Sequence, residues 1–223
     1  MCGRFTLTVD RDDLIEQFAL NLFPEEFSLR FNVAPTQPIL SAVQLNEGRR
    51  AGYMKWGLVP YWVKDIKKWK PLINARSETI DEKASFKHLL QKRRCIVFAD
   101  SFYEWKKTEA GEKIPYRIYL KNKKPFAFAG LWDRHSQGQM QTVTCTVLTT
   151  EANDVVKEVH DRMPVIFTDE HAIHQWLNVN ENNYKEVEGL LKPLDSSLMD
   201  KYIVSSVVNS SKTDDQRCIE PMI

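Results

Sequence analysis

The 223-residue chain has no apolar run approaching the ~20 residues that span a bilayer, so a helical membrane protein is not expected. It has no charged-then-apolar leader either: Asp10, Asp12 and Asp13 come too early for one. The expected compartment is therefore the cytoplasm. Cysteines are few. Cys2, Cys95, Cys145 and Cys218 lie far apart and form no C-x-x-C pair, so free thiols are expected and a zinc site, or any other metal or cofactor, is not. Internal repeats and low-complexity linkers are also missing. One domain over residues 1–223 is expected, as a monomer, with a polar tail from about 210 that reads as loose.

Net charge is nearly absent too, at +1, but it is unevenly spread. Residues 62–94 carry ten Lys/Arg against four Asp/Glu, a net of +6, and residues 151–200 carry four against eleven, a net of −7. The basic stretch holds Trp62, Trp69 and the run Lys92-Arg93-Arg94. Cations interleaved with aromatic rings suit a single-stranded nucleic acid, whose phosphates pair with the cations while its bases stack on the rings. A solvated basic helix gives the same pattern.

Hydrophobic periodicity and turn residues divide the chain into many short strands and a few helices. Strands are expected at 3–7, 39–45, 50–56, 95–98, 103–106, 115–120, 125–132, 141–149, 164–167 and 202–207. The pair 39–45/50–56 reads as a hairpin across Asn46-Glu47-Gly48. Helices are expected at 10–20, 78–94, 151–159, 168–177 and 183–191. This alternation predicts an α+β domain whose sheet is mostly antiparallel and barrel-like, flanked by short helices.

The start of the chain, Met1-Cys2-Gly3-Arg4-Phe5, is chemically unusual. Removal of Met1 would leave an α-amine and a thiol on adjacent carbons, with ordinary pKa values of ~7.7–8.0 and ~8.5. The amine can attack an aldehyde to give an imine, and the thiol can close on that imine as a five-membered thiazolidine. A small buried cysteine at a strand start is the alternative reading. Glu104, between Tyr103 and Trp105, is placed for partial desolvation and hence acid–base work, unless strand alternation turns it outward. His160, in Val159-His160-Asp161-Arg162-Met163-Pro164, could move protons. His171 and His174 read as surface residues. Arg4, two residues from Cys2, suggests an anionic substrate, since guanidinium pairs bidentately with phosphate. Asn74 and Arg76 are polar residues in Pro71-Leu72-Ile73-Asn74-Ala75-Arg76 that a purely structural segment would not need.

Six blocks, in order, carry a resemblance. They are Met1–Phe5, Phe31-Asn32-Val33-Ala34-Pro35, Trp56-Gly57-Leu58-Val59-Pro60, Ile73-Asn74-Ala75-Arg76-Ser77-Glu78-Thr79, the run from Cys95 to Trp105, and His160–Pro164. Together the chain resembles the SRAP (SOS response-associated peptidase) family of abasic-site-processing proteins. The resemblance implies binding of single-stranded DNA and a covalent crosslink between Cys2 and the ring-opened aldehyde of an abasic site. It implies catalytic roles for Cys2, Asn74, Glu104 and His160, and DNA contacts from Arg4, Asn32, Pro35, Trp62, Arg76 and Arg162. Tyr61–Lys70 is longer and richer in lysine than the family's segment, which leaves Trp62 and Trp69 as alternative stacking rings. Self-removal of Met1 and lyase activity are further implications. A cysteine hydrolase or peptidase with an N-terminal nucleophile is the rival reading, and a DNA-binding module without catalysis is another.

Overall fold

A computed structural model describes residues 2–222. Two sheets organise them. The first runs in the order Met199–Ile203 (β14), Lys113–Leu120 (β9), Ser101–Lys107 (β8), Phe5–Leu7 (β1), Arg30–Val33 (β3), and every pairing in it is antiparallel. The second runs Arg162–Pro164 (β12), Met140–Glu151 (β11), Phe126–Gln137 (β10), Arg94–Ala99 (β7), Pro38–Leu45 (β4), Gly48–Trp56 (β5), Leu20–Leu22 (β2). Ile166–Phe167 (β13) adds to β10, and Asn74–Arg76 (β6) lies parallel on β11. A parallel contact between β11 and β5, with Cys145 opposite Trp56, closes β11-β10-β7-β4-β5 into a five-stranded barrel. The mostly antiparallel, barrel-like α+β architecture expected from the sequence is the one observed.

Strand alternation divides the apolar residues between two cores. Cys95, Val97, Phe126, Phe128, Cys145, Val147 and Trp56 share one cluster with Phe5 and Phe102 of the first sheet. Ile96, Phe98, Ala127, Ala129 and Leu148, at the alternate positions, pack under Arg11–Gln17 (α1), Glu170–Leu177 (α3) and Tyr184–Val187 (α4). Asp154–Lys157 (α2) sits beside β12 and β14. The hairpin β4–β5 turns where expected. Gly48 is required there, with φ +114° and a place where a Cβ would lie 2.0 Å from Asn21 Oδ1. Arg49, buried behind it, fastens α3 to β5 through a bidentate pair with Glu170 at 2.6 and 2.9 Å.

Two expectations fail outright, beyond shifted element ends such as the last strand, expected at 202–207 and observed at Met199–Ile203 with a 3₁₀ turn over Ser206–Asn209. The helix expected over 78–94 is instead a 3₁₀ turn, Ser77–Thr79, followed by separate turns. Its anchors Ile80 and Leu89 are both fully buried, yet nine residues apart they would fall about 180° apart on a regular helix. The segment buries both only by breaking the helix. The tail from Ser210 is not loose. Asp214 accepts hydrogen bonds from the backbone of Phe31 (2.6 Å) and Asn32 (2.8 Å) and from Arg30 Nε (2.6 Å). Cys218 is fully buried, and the Tyr103 hydroxyl reaches its carbonyl at 3.1 Å. We expect Asp214→Ala to cost about 1–3 kcal/mol, because it strands two backbone donors of β3. Urea unfolding would show this as a lower midpoint at unchanged slope, and an unchanged midpoint would mean that the tail is dispensable for stability.

Candidate functional site

The site begins with Cys2, because β1 lies between β8 and β3 and fixes the chain's start inside the first sheet, next to its edge strand. Tyr103 N donates to Arg4 O at 2.9 Å, continuing the β1–β8 ladder and bringing Glu104 alongside Cys2. Cys2 is completely buried. Burial pushes its thiol well above the ordinary value and the negative charge of Glu104 pushes it further, so the sulfur is held as a neutral thiol. Glu104 is 3% exposed. Desolvation pushes its carboxyl up to about 7, with Asp161 adding to the rise. A carboxyl in that range can both give and take a proton at neutral pH.

Strand β11 assembles the other side. Parallel β6 and antiparallel β12 both pair with its end, Asn74 opposite Val147 and Arg162 opposite Glu151. Trp56, buried in the barrel, donates from Nε1 to Ile73 O (2.8 Å) and so sets the register of Asn74. Asn74 Nδ2 donates to Cys2 O at 2.8 Å. Its Oδ1 is buried without a hydrogen-bond partner among the described residues. His160 follows α2. Arg162 N donates to its Nδ1 at 3.0 Å. Burial lowers its pKa, while Asp161, 2.9 Å from Nδ1, opposes that. An open cleft of about 490 Å³ is lined by Glu104, His160, Trp105, Lys107, Lys113 and Asn209.

The structure thus brings Cys2, Asn74 and Glu104 together, and His160 joins Glu104 along the cleft. The residues expected to hold DNA are arranged differently from one another. Arg76, at the end of β6, is exposed. Arg162 is bound bidentately by Glu78 at 2.6 and 2.8 Å and also donates to Thr149 O. Arg4 is engaged within the protein, its Nη1 donating to Asn32 Oδ1 (2.8 Å) and Val208 O (2.6 Å) and its Nη2 to Asn209 O (3.0 Å). Asn32 is fully buried and donates from Nδ2 to the carbonyls of Val208, Ser210 and Thr213. Pro35 is half-buried in a tight turn where Thr36 adopts φ +73°, a strained value for a β-branched residue. Trp62 is 44% exposed and meets Trp69 edge to face at 5.3 Å, while Trp69 is tethered through Nε1 to Leu58 O. Their loop is pinned by buried barrel residues. Thr144 accepts from Val59 N, Asp133 from Tyr61 N, and His135 Nε2 donates to Val63 O at 2.6 Å. His171 and His174 are exposed, as read from the sequence.

Sequence reasoning missed Glu78 as the partner of Arg162 and Asp161 as the charge beside His160. Both acids stood in the quoted blocks and were legible as opposite charges. Lys107, Lys113 and Asn209 gave no signal, since their place in the cleft depends on a hairpin and on a tail that returns from the far end of the chain. Among the described residues no helix is long and apolar enough to cross a membrane.

Comparison with known proteins places the chain. Bacillus subtilis (strain 168) abasic site processing protein YoqW is 46% identical over 223 residues, covering 99% of both chains. Abasic site processing protein HMCES of Gallus gallus is 35% identical over 193 residues, 76% of this chain and 56% of its own. A crystal structure of a protein from Bacteroides thetaiotaomicron superposes with a TM-score of 0.82 at 26% identity, over the whole of both chains. A family model described as SOS response associated peptidase (SRAP) matches residues 1–211. With that match over nearly its whole length, the chain belongs to the SRAP family.

Proposed function

We propose that this protein processes abasic sites in single-stranded DNA by bonding covalently to them through Cys2. The observation that carries the reading is the pairing of Cys2, beside Asn74, with a buried carboxyl whose pKa lies near 7. The names of relatives aligned over the full chain support the substrate. Removal of Met1, a step that lies outside the described residues, exposes the Cys2 amine. The amine nitrogen attacks the aldehyde carbon of the ring-opened sugar, and Glu104 takes the proton that the nitrogen sheds. Glu104 passes that proton to the alkoxide oxygen, giving the carbinolamine, and then relays the nitrogen's second proton to the hydroxyl, which departs as water and leaves a neutral imine. The thiol sulfur then bonds to the imine carbon while its proton passes to the nitrogen, closing the thiazolidine. Atoms balance with one water released and no redox partner. Asn74 holds the Cys2 carbonyl and orients the amine. His160, lining the cleft with Glu104, assists opening of the sugar ring.

Arg76, exposed at the end of β6, holds phosphate, Arg162, already taken up by Glu78 and Thr149, acts by bracing the site, and Trp62, the more exposed of its pair, offers a ring face. Arg4 and Asn32 act indirectly, by fixing the tail that walls the cleft. A hydrolase acting on amides is the second reading, since the buried Cys2–Glu104 pair is also a nucleophile beside a proton acceptor. One incubation with a single-stranded oligonucleotide carrying one abasic site, run on a denaturing gel, separates the two. A stable slower band supports crosslinking, and its absence together with amide cleavage supports hydrolysis. Arg76→Ala is expected to weaken both binding and crosslinking. Unchanged fluorescence anisotropy at fixed salt would remove Arg76 from the strand's path.

A further inference from the structure

The cleft beside Glu104 and His160 continues away from the reacting groups onto the β8–β9 hairpin, where its wall is cationic. Lys107 and Lys113 line it and stand directly opposite each other across the strands. Like charges in that register destabilise a hairpin unless something anionic sits between them. Neither lysine joins an ion pair among the described residues, whereas Lys185 and Lys201 elsewhere are paired with acids. The hairpin's own acids, Glu109 and Glu112, make no ion pair with them either. The opposite wall is preset. Asn209 Oδ1 accepts from Trp105 Nε1 at 2.7 Å and its carbonyl accepts from Arg4, which leaves the Asn209 Nδ2 hydrogens as donors with no partner among the described residues. Two cations and a carboxamide donor thus face one open space that leads to the chemistry.

We propose that this cleft is a phosphodiester subsite, in which Lys107, Lys113 and Asn209 grip the strand on one flank of the reacting sugar and lead it out past the β8–β9 hairpin. The proposal rests on the reading that the substrate is a single strand, and adds a path distinct from the basic stretch at 62–94. It explains why Arg4 and Asn32 are spent on the tail: they hold Asn209 in the cleft wall.

The test compares Lys107→Ala/Lys113→Ala with wild type and with Lys124→Ala/Lys192→Ala, which removes the same charge from exposed positions elsewhere. Undamaged single strands are used for affinity, one with about ten nucleotides on each side of a central position and two trimmed to that position from either end. The cleft variant should bind the full strand about tenfold more weakly, the scale of a charge-assisted contact. Its salt dependence should be shallower by about 0.7 for each phosphate lost. On one of the trimmed strands it should equal wild type. Its adduct rate at saturating abasic strand should stay at the wild-type value. A deficit no larger than the control's, one that persists on both trimmed strands, or a slowed adduct rate at saturation would each overturn the subsite. Failure of the abasic reading looks different. Wild type would then form no adduct, while the affinity comparison on undamaged strands would still decide the role of the lysines.

Discussion

Protein whose chain begins at Cys2 is expected to carry an abasic oligonucleotide into a slower band on a denaturing gel without added reductant, and protein retaining one residue ahead of Cys2 to give none. The expected difference is all or nothing, because an acylated nitrogen cannot form an imine. The thiol decides how long the product lasts. Burial and Glu104 keep Cys2 sulfur protonated, so it contributes little as a free thiolate nucleophile and acts where an imine carbon has already formed beside it. Cys2→Ser keeps the amine but cannot close the thiazolidine. Its adduct should therefore survive denaturation only after borohydride reduction. Equal crosslinking by the extended chain would exclude the amine as nucleophile. An equally durable adduct formed by the Cys2→Ser variant would exclude ring closure by sulfur.

How much of this was legible in the sequence differs with the range of the interaction. The β4–β5 hairpin was readable from Gly48 and its flanking alternation, because a hairpin is a local object. Closure of the barrel by parallel contact between β11 and β5 was not, since residues 56 and 145 meet through no pattern that either strand carries. The segment 78–94 misled because helix-forming residues abound there, while the spacing of Ile80 and Leu89, which forbids one buried face, carries the decisive information. Reactive chemistry was the most visible part of the site. A cysteine behind the initiator and a glutamate between aromatic rings are odd choices for packing alone, and both lie at the centre of the constellation. Arg4 shows the limit. A cation beside a reactive end reads as a phosphate ligand, yet its acceptors are backbone carbonyls of Val208 and Asn209, about two hundred residues away and invisible to any local reading. The tail failed for the same reason. Its polar composition is that of a loose end, and only Asp214 meeting the amides of β3 shows otherwise.

Glu104→Gln is expected to slow adduct formation by ~10²–10⁴-fold, the usual contribution of a positioned proton-transfer group, while leaving strand affinity near wild type. Glutamine is nearly isosteric, so the wall beside Cys2 keeps its shape and loses only the titrating proton. The pH behaviour carries the sharper signature. With its carboxyl pushed up to about 7, Glu104 should add its own titration to that of the Cys2 amine in the wild-type adduct rate, and the variant should keep only the amine's. Stability should respond in the matching direction. A carboxyl pushed above its unfolded value binds more protons folded than unfolded between about 4.5 and 7, so wild type loses stability relative to Glu104→Gln as pH rises through that window. His160→Ala should slow formation less, since water can assist ring opening, and should change adduct reversal more. Single-turnover rates across roughly pH 5–9, with denaturant midpoints at the same pH values, test both halves of the assignment. A variant that forms adduct at the wild-type rate but shows the altered stability profile would make Glu104 a buried packing residue. A slowed variant whose pH profile keeps the wild-type shape would move the titrating proton transfer off Glu104 and onto His160, whose pKa burial lowers.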